Sequence, residues 1–141
     1  MSDLVARARD LAHRAHAGQV DKAGRPYIEH VARVAAAVSD DPEAEAVAWL
    51  HDVLEDCPDW ADFVYQYPYR ITLGCVLLSR ASCGTSEAYY SGVRSNPIAL
   101  RVKLADIADN SDEARLALLD DKTARRLRRK YQNARKALGV E

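Results

Sequence analysis

Apolar residues recur at helical spacing along almost the whole chain, and this periodicity limits the fold more than any other feature. In the first segment they are separated by one, three or four residues, at Leu4, Ala8, Leu11, Ala12 and Ala15, as on one face of an α-helix. No segment alternates between apolar and polar residues as a half-buried strand does. The sequence therefore predicts an all-α fold, an irregular multi-helix bundle.

Residues with strong positional preferences predict where the helices begin and end. The charged segment Gln19–Pro26, QVDKAGRP, is predicted to be a loop. Pro42 stands at the first position of a third helix, which Asp40 or Asp41 caps and which ends near Cys57. The further helices predicted after it are a buried one over Ile71–Leu78, one over Glu87–Arg94, one that begins at Asn96–Pro97, and one over Asp121–Leu138.

The length and the charge of the chain limit the number of domains that it can form and the partners that it can bind. A chain of 141 residues can form one domain with a sizeable core, and we expect a single domain over residues 1–141. Its 20 Lys and Arg and 21 Asp and Glu give a net charge of −1, so a nucleic-acid partner is not expected. Three cysteines without a CxxC pair, and no signal-peptide core or membrane-spanning run, predict a cytoplasmic protein with reduced thiols.

The third predicted helix carries four titratable side chains on one stripe. His51 and Asp52 are followed one turn later by Glu55 and Asp56. A carboxylate buried without a partner costs several kcal/mol, so Asp52 requires a cation or a hydrogen-bond donor nearby. Taken alone, a His–Asp pair is equally consistent with polar residues at a helix end.

Two further polar residues interrupt apolar stretches of other predicted helices. His30 lies on a stripe of the second helix that is expected to face the third, because short connections favour antiparallel neighbours. Asp106 lies in the stretch VKLADIADN of a later helix. With His51 and Asp52 they would form a mixed nitrogen and oxygen site, which suits a divalent ion such as Mn²⁺, Fe²⁺ or Zn²⁺. Such an ion lowers the pKa of a bound water, and the two acids one turn further on could orient or deprotonate that water.

Three blocks of sequence indicate a protein family more specifically than the His–Asp pair alone. In chain order they are AHAGQVDKAGRPYIEH (Ala15–His30), WLHDVLED (Trp49–Asp56) and RVKLADIADN (Arg101–Asn110). They match the patterns AHxGQxRKxGxPYIxHP, LLHDVVEDT and VKLADRLxN. The chain therefore resembles the HD-superfamily hydrolases of the RelA/SpoT type, and in particular the small stand-alone members.

This resemblance implies an HD-type hydrolase domain with one Mn²⁺ that cleaves a phosphate or pyrophosphate ester of a nucleotide, as (p)ppGpp hydrolases do, by attack of a metal-bound water. The roles it implies are metal ligand for His30, His51, Asp52 and Asp106, water-positioning acid for Glu55 and Asp56, and substrate contact for Lys22 and Asn110. Lys103 is a further candidate for binding a substrate phosphate, because it lies three residues before Asp106 and would share the face of the site.

Three of the positions at which the chain departs from the family patterns bear on the proposed site. Asp21 stands in place of an arginine that would lie by the nucleotide base, Val31 in place of a proline, and Cys57 in place of a threonine. Two other interpretations stay open. One is a phosphatase that acts on another nucleotide or on a nicotinamide cofactor, and the other is a non-catalytic helical module that binds a nucleotide or a partner.

The basic segment near the end of the chain and His16 are predicted to have structural rather than catalytic or binding roles. The basic segment Lys122–Lys136 keeps an intact apolar stripe, so its arginines are predicted to form the solvated face of an amphipathic helix. His16 is predicted to hydrogen-bond the loop that follows it rather than to form a metal-binding face with His13.

Overall fold

The computed structural model describes residues 3–80 and 83–140, which form nine α-helices and one 3₁₀ turn. The helices are α1 (Asp3–Ala15), α2 (Tyr27–Ala37), α3 (Pro42–Asp56), α4 (Ala61–Val64), α5 (Tyr69–Leu78), α6 (Ser86–Arg94), α7 (Pro97–Asn110), α8 (Glu113–Leu116) and α9 (Asp121–Ala137). Within those residues the only extended pairing is an isolated bridge between Val20 and Pro26. The predicted all-α fold is confirmed.

Side-chain caps explain where α3 and α7 begin. The Asp41 carboxylate accepts a hydrogen bond from a backbone N–H two residues further on, and Pro42 follows as the first residue of α3. Asn96 caps α7 in a similar way, through the backbone N–H of Ala99, and Pro97 follows it. Both predicted helix starts are therefore confirmed, and Asp41 rather than Asp40 is the cap.

Helix α3 lies at the centre of the core. Nine of its 15 residues are buried, and α1, α2, α5 and α7 pack against it. This enclosure places two polar side chains inside the protein, because His51 and Asp52 are only 4% and 6% exposed. In the described part of the chain no helix is long and apolar enough to cross a membrane.

The short helices differ most from the sequence prediction. Over Asp59–Arg70 the sequence predicts one short helix and a turn, and the structure has α4 there. It adds a 3₁₀ turn over Pro58–Trp60, and α5 begins at Tyr69, two residues before the helix predicted over Ile71–Leu78. Helix α8 is not predicted at all. Its four residues are too few to show a period of 3.6 residues.

Helix α9 is amphipathic, as predicted. Its apolar residues Ala124, Leu127 and Ala134 are buried. The exposed arginines of this helix are Arg125, Arg126, Arg128 and Arg129. The predicted solvated face is confirmed for these four residues.

Gly74 marks a close approach between α5 and α3. A Cβ atom at this position would lie 2.9 Å from Val47 Cγ2, and Val47 is fully buried and conformationally stiff. An alanine in a helix interior gains about 1 kcal/mol over glycine, whereas an overpacked core loses about 1–3 kcal/mol. We expect Gly74→Ala to lower the free energy of unfolding by about 1 kcal/mol, as measured by urea denaturation.

Gly92→Ala is the matched control for this substitution. Gly92 lies inside α6, where a Cβ atom would meet Leu77 Cδ2 at 3.4 Å, an ordinary contact distance. This variant should be as stable as the unmodified protein or more stable, because only the helix-propensity gain applies. A Gly74→Ala protein that is more stable than the unmodified chain would contradict the packing argument.

Candidate active site

Hydrogen bonds hold the loop between α1 and α2 in place. Asp21 Oδ1 accepts hydrogen bonds from two backbone N–H groups of the loop, both at 2.9 Å. Gly24 has a φ of 81°, a conformation that favours glycine, and it allows the chain to turn back toward α2. Gln19 Nε2 donates to Cys57 Sγ at the end of α3, at 3.4 Å. The loop is therefore fixed beside the carboxyl end of α3.

His16 makes the predicted contact with this loop. Its Nδ1 lies 2.8 Å from Gln19 Oε1, which confirms the loop hydrogen bond. Burial lowers the pKa of the His16 imidazole. Its Nε2 is buried and has no hydrogen-bond partner among the described residues.

Three of the four side chains that were predicted as metal ligands meet at one point. His30 of α2, Asp52 of α3 and Asp106 of α7 each offer one atom, and these atoms all lie within 4.8 Å of one another. All three residues are buried. His30 Nε2 lies 2.9 Å from Asp106 Oδ1. We call these three residues the central cluster.

His51, the fourth predicted ligand, lies beside the central cluster. Its Nδ1 lies 2.9 Å from the carbonyl oxygen of Ala48, and because a carbonyl only accepts, Nδ1 carries the hydrogen. Its Nε2 lies 3.3 Å from Asp52 Oδ1. The His51 ring therefore presents Nε2 to the central cluster.

The His30 ring lies between two carboxylates. Its Nδ1 donates to Asp109 Oδ2 at 2.6 Å, while its Nε2 faces Asp106. Burial opposes protonation of the ring, but the hydrogen bonds to the two carboxylates outweigh it and raise the pKa of His30 to about 9. Burial likewise opposes ionisation of Asp106, but the hydrogen bond from His30 and the nearby Lys103 charge hold its pKa below the usual range. The central cluster therefore retains a positive charge between its acids.

A cavity of about 420 Å³ adjoins the central cluster. Eight of the nine predicted site residues line it, namely Lys22, His51, Asp52, Glu55, Asp56, Lys103, Asp106 and Asn110. The ninth, His30, contacts Asp106 in its wall. The structure thus brings the three sequence blocks to one cavity.

Cationic side chains reach this cavity from four parts of the chain. They are Lys22 of the first loop, Arg80 after α5, Lys103 of α7 and Lys130 of α9. Lys103 Nζ lies 3.4 Å from Asp106 Oδ2, and Arg80 donates to the Tyr90 hydroxyl at 2.8 Å. Burial and then the charges of its cationic neighbours lower the pKa of Lys130. Such an arrangement favours an anionic ligand.

Acidic side chains at the end of α3 line the same cavity. Glu55 Oε1 accepts a hydrogen bond from the backbone N–H of Arg80 at 3.3 Å. Partial burial, with the charges of Asp52 and Glu55, raises the pKa of Asp56 to about 6. Asp56 can therefore gain and lose a proton near neutral pH.

A second cavity of about 320 Å³ adjoins the first. The residues common to both are Lys22, Tyr27, Asn110 and Tyr131. Its wall also contains apolar side chains and the ion pair between Asp21 and Arg115, whose Oδ2 and Nη2 atoms lie 2.9 Å apart. The two cavities together have room for a ligand with an anionic part and a partly apolar part.

Sequence reasoning did not identify several residues of this site. Asp109, Tyr27 and Lys130 were not among the predicted site residues, yet Asp109 contacts His30 and the other two line the main cavity. Tyr27 donates a hydrogen bond to Asp52 Oδ2 at 2.8 Å. Tyr27 occupies a fixed position of the first family pattern, whereas Asp109 occupies the variable position of the third, so only Asp109 lies outside what the patterns indicate.

The fold and the site define an all-helical protein in which a buried imidazole–carboxylate cluster adjoins a cavity lined by cationic side chains. The chain is 45% identical over 51 residues to the guanosine-3′,5′-bis(diphosphate) 3′-pyrophosphohydrolase of Haemophilus influenzae, covering 34% of this chain and 8% of that protein. It is 48% identical over 50 residues to the protein of the same name from Vibrio cholerae, covering 33% and 7%.

A longer match includes most of this chain. The chain is 31% identical over 138 residues to a probable GTP pyrophosphokinase of Mycobacterium leprae, covering 89% of this chain and 17% of that protein. The chain spans less than a fifth of the length of each of these curated relatives. No family model matches the chain. The predicted resemblance to the RelA/SpoT type is confirmed by these relatives.

Proposed function

We propose that this protein is a metal-dependent phosphohydrolase that cleaves a phosphate or pyrophosphate ester of a nucleotide, with (p)ppGpp as the first candidate substrate. The observation that carries this proposal is the convergence of His30, Asp52 and Asp106 within 4.8 Å beside a cavity with cationic side chains. The names of two relatives, which are guanosine-bis(diphosphate) pyrophosphohydrolases, support the substrate class.

The donor atoms of the central cluster fit a divalent cation. Two carboxylates are buried close to an imidazole whose proton offsets part of their charge, and a cation would replace that proton. Nitrogen and oxygen donors together suit Mn²⁺, Fe²⁺ or Zn²⁺, whereas Mg²⁺ prefers oxygen donors alone. We propose His30, His51, Asp52 and Asp106 as the ligands and Mn²⁺ as the metal. When bound, such an ion polarises a phosphoryl oxygen and lowers the pKa of water.

The remaining side chains of the cavity act on the water and on the phosphate. Glu55 and Asp56 orient the attacking water, and Asp56 accepts its proton, because its pKa of about 6 allows it to be ionised at neutral pH. Lys22 and Lys103 neutralise the charge of the substrate phosphate. Asn110 lies where the two cavities meet, so it contacts the part of the nucleotide between phosphate and nucleoside.

One observation favours a second candidate substrate, another nucleotide or a nicotinamide cofactor. Asp21 occupies the position where the resembled family has a base-contacting arginine, and its carboxylate is bonded to Arg115 and to loop backbone. The arginine that would contact the guanine is therefore replaced by an acid that is already paired. In this second candidate the nucleoside binds in the second cavity, and no arginine at position 21 selects for guanine.

Phosphate release from a nucleotide panel tests the proposal. The panel contains guanosine 3′,5′-bis(diphosphate), nucleoside mono- and diphosphates and a nicotinamide dinucleotide phosphate, each assayed with Mn²⁺ and with a chelator. We expect phosphate or pyrophosphate release from at least one of them with Mn²⁺, and none with chelator. An Asp106→Asn protein, which lacks one proposed ligand charge, serves as the inactive control. Saturable nucleotide binding without release would instead favour the non-catalytic module.

A further inference from the structure

Asp109 is a partly buried acid that the proposed reaction does not use. It lies on α7, one turn after Asp106, and its side chain is 13% exposed. Its Oδ2 accepts the hydrogen of His30 Nδ1 at 2.6 Å, across 79 positions of the chain. It occupies the variable position of the third sequence block, just before Asn110.

The Asp109 carboxylate is itself held in a defined orientation. Arg33 Nε donates to its Oδ1 at 2.7 Å, and Arg115 Nη1 donates to its Oδ2 at 2.8 Å. Arg115 is fixed in turn by Asp21 and Asn110, at 2.9 Å and 3.2 Å. Neither oxygen can therefore turn away from His30 without breaking charge-assisted hydrogen bonds.

An imidazole that is held at Nδ1 has a defined direction for Nε2. Here the ring is also packed against Tyr27, with the ring centroids 5.4 Å apart, so it cannot rotate freely. A carboxylate that accepts from the Nδ1–H group fixes the tautomer in which Nε2 has the free lone pair, and it makes that lone pair more basic.

We propose that Asp109 is a positioning residue for the metal centre: it holds His30 so that Nε2 faces Asp52 and Asp106. This inference rests on the proposed function, because it presumes that His30 is a ligand. The ion pairs of Asp109 with Arg33 and Arg115 connect α2, α7 and α8. The inference gives these three residues a second role, in metal affinity.

Metal binding by Asp109 variants tests this role. Mn²⁺ affinity is measured by titration calorimetry, and the visible absorption of the Co²⁺-loaded protein reports the geometry around the ion. We expect Asp109→Ala to weaken Mn²⁺ binding by about 10- to 100-fold and to alter the Co²⁺ spectrum. Asp109→Asn, whose amide oxygen still accepts from Nδ1–H, should recover part of the affinity.

The matched control is Asp40→Asn, which removes a carboxylate that pairs with Arg101 of the same helix α7 at 2.6 Å. It should bind Mn²⁺ as the unmodified protein does. Unchanged affinity and an unchanged Co²⁺ spectrum in folded Asp109→Ala would overturn the inference. If Asp109→Ala does not fold, the same result in Asp109→Asn would overturn it. An unmodified protein that binds neither ion would refute the proposed function itself.

Discussion

Asp52→Ala is expected to abolish both Mn²⁺ retention and turnover while the protein remains helical. Asp52 is 6% exposed on the central helix, and its carboxylate is the member of the central cluster that α3 supplies. A bound cation contributes several kcal/mol of transition-state stabilisation, and a loss of about 4 kcal/mol slows the reaction about a thousandfold. Metal content after Mn²⁺ loading and gel filtration, phosphate release and far-ultraviolet circular dichroism measure the three expectations.

The fold is expected to survive this change, because Asp52→Ala removes one stabilising hydrogen bond but also removes one destabilising charge repulsion. The Tyr27 hydroxyl loses its acceptor, which costs about 1–3 kcal/mol. Removal of Asp52 also relieves the repulsion that contributes to the raised pKa of Asp56. His51→Ala, at the neighbouring position, should lose metal and turnover in the same way.

Asp10→Ala is the matched control, since Asp10 lies on α1 in an exposed ion pair with Arg14 and lines neither cavity. It should retain the metal content and the turnover of the unmodified protein. A folded Asp52→Ala protein with unchanged metal content and rate would refute the metal-dependent mechanism.

The long helices could be predicted because their signals are local. Apolar spacing and the caps Asp41 and Asn96 lie within a few residues of the ends that they define. Helix α8 and the 3₁₀ turn Pro58–Trp60 are each shorter than the pattern that would reveal them. Their positions depend on packing rather than on periodicity.

The central cluster could also be predicted, because a charged residue inside an apolar stretch of helix is conspicuous. Asp109 was missed because its role depends on a hydrogen bond between residues 79 positions apart, and no local pattern reports such a contact. Lys130 was missed for a different reason. A lysine on an amphipathic helix has the same sequence context whether it faces solvent or a cavity, and only the packing of α9 against α7 distinguishes the two.

The charges of the cavity provide an independent argument for a cation. Asp52, Asp56 and Asp106 line one cavity with Glu55, and a phosphate group would add further negative charge among them. The lysines and Arg80 at the same cavity attract the phosphate, but Lys103 is already paired with Asp106. A divalent ion at the central cluster would offset the remaining acids where the phosphate must approach them.

Asp56→Asn is expected to retain Mn²⁺ but to lower kcat by about 10²- to 10⁴-fold, the usual contribution of a general base. The pKa of Asp56 is about 6 in the protein without metal, and only the ionised carboxylate can accept a proton. A bound cation favours the ionised form, so the rate of the Mn²⁺-loaded protein should fall at a pH below this value of about 6. The fall should be absent in Asp56→Asn.

Two further variants make this test specific. Asp59→Asn makes the same change at an exposed acid three residues further along the chain and should leave rate and pH profile unchanged. Glu55→Gln should keep the metal and lose most of the rate, and loss of metal instead would identify Glu55 as a ligand. If Asp56→Asn retained both the full rate and the acidic fall, the base would have to be another group. Glu55, which lines the same cavity, would then be the residue to test.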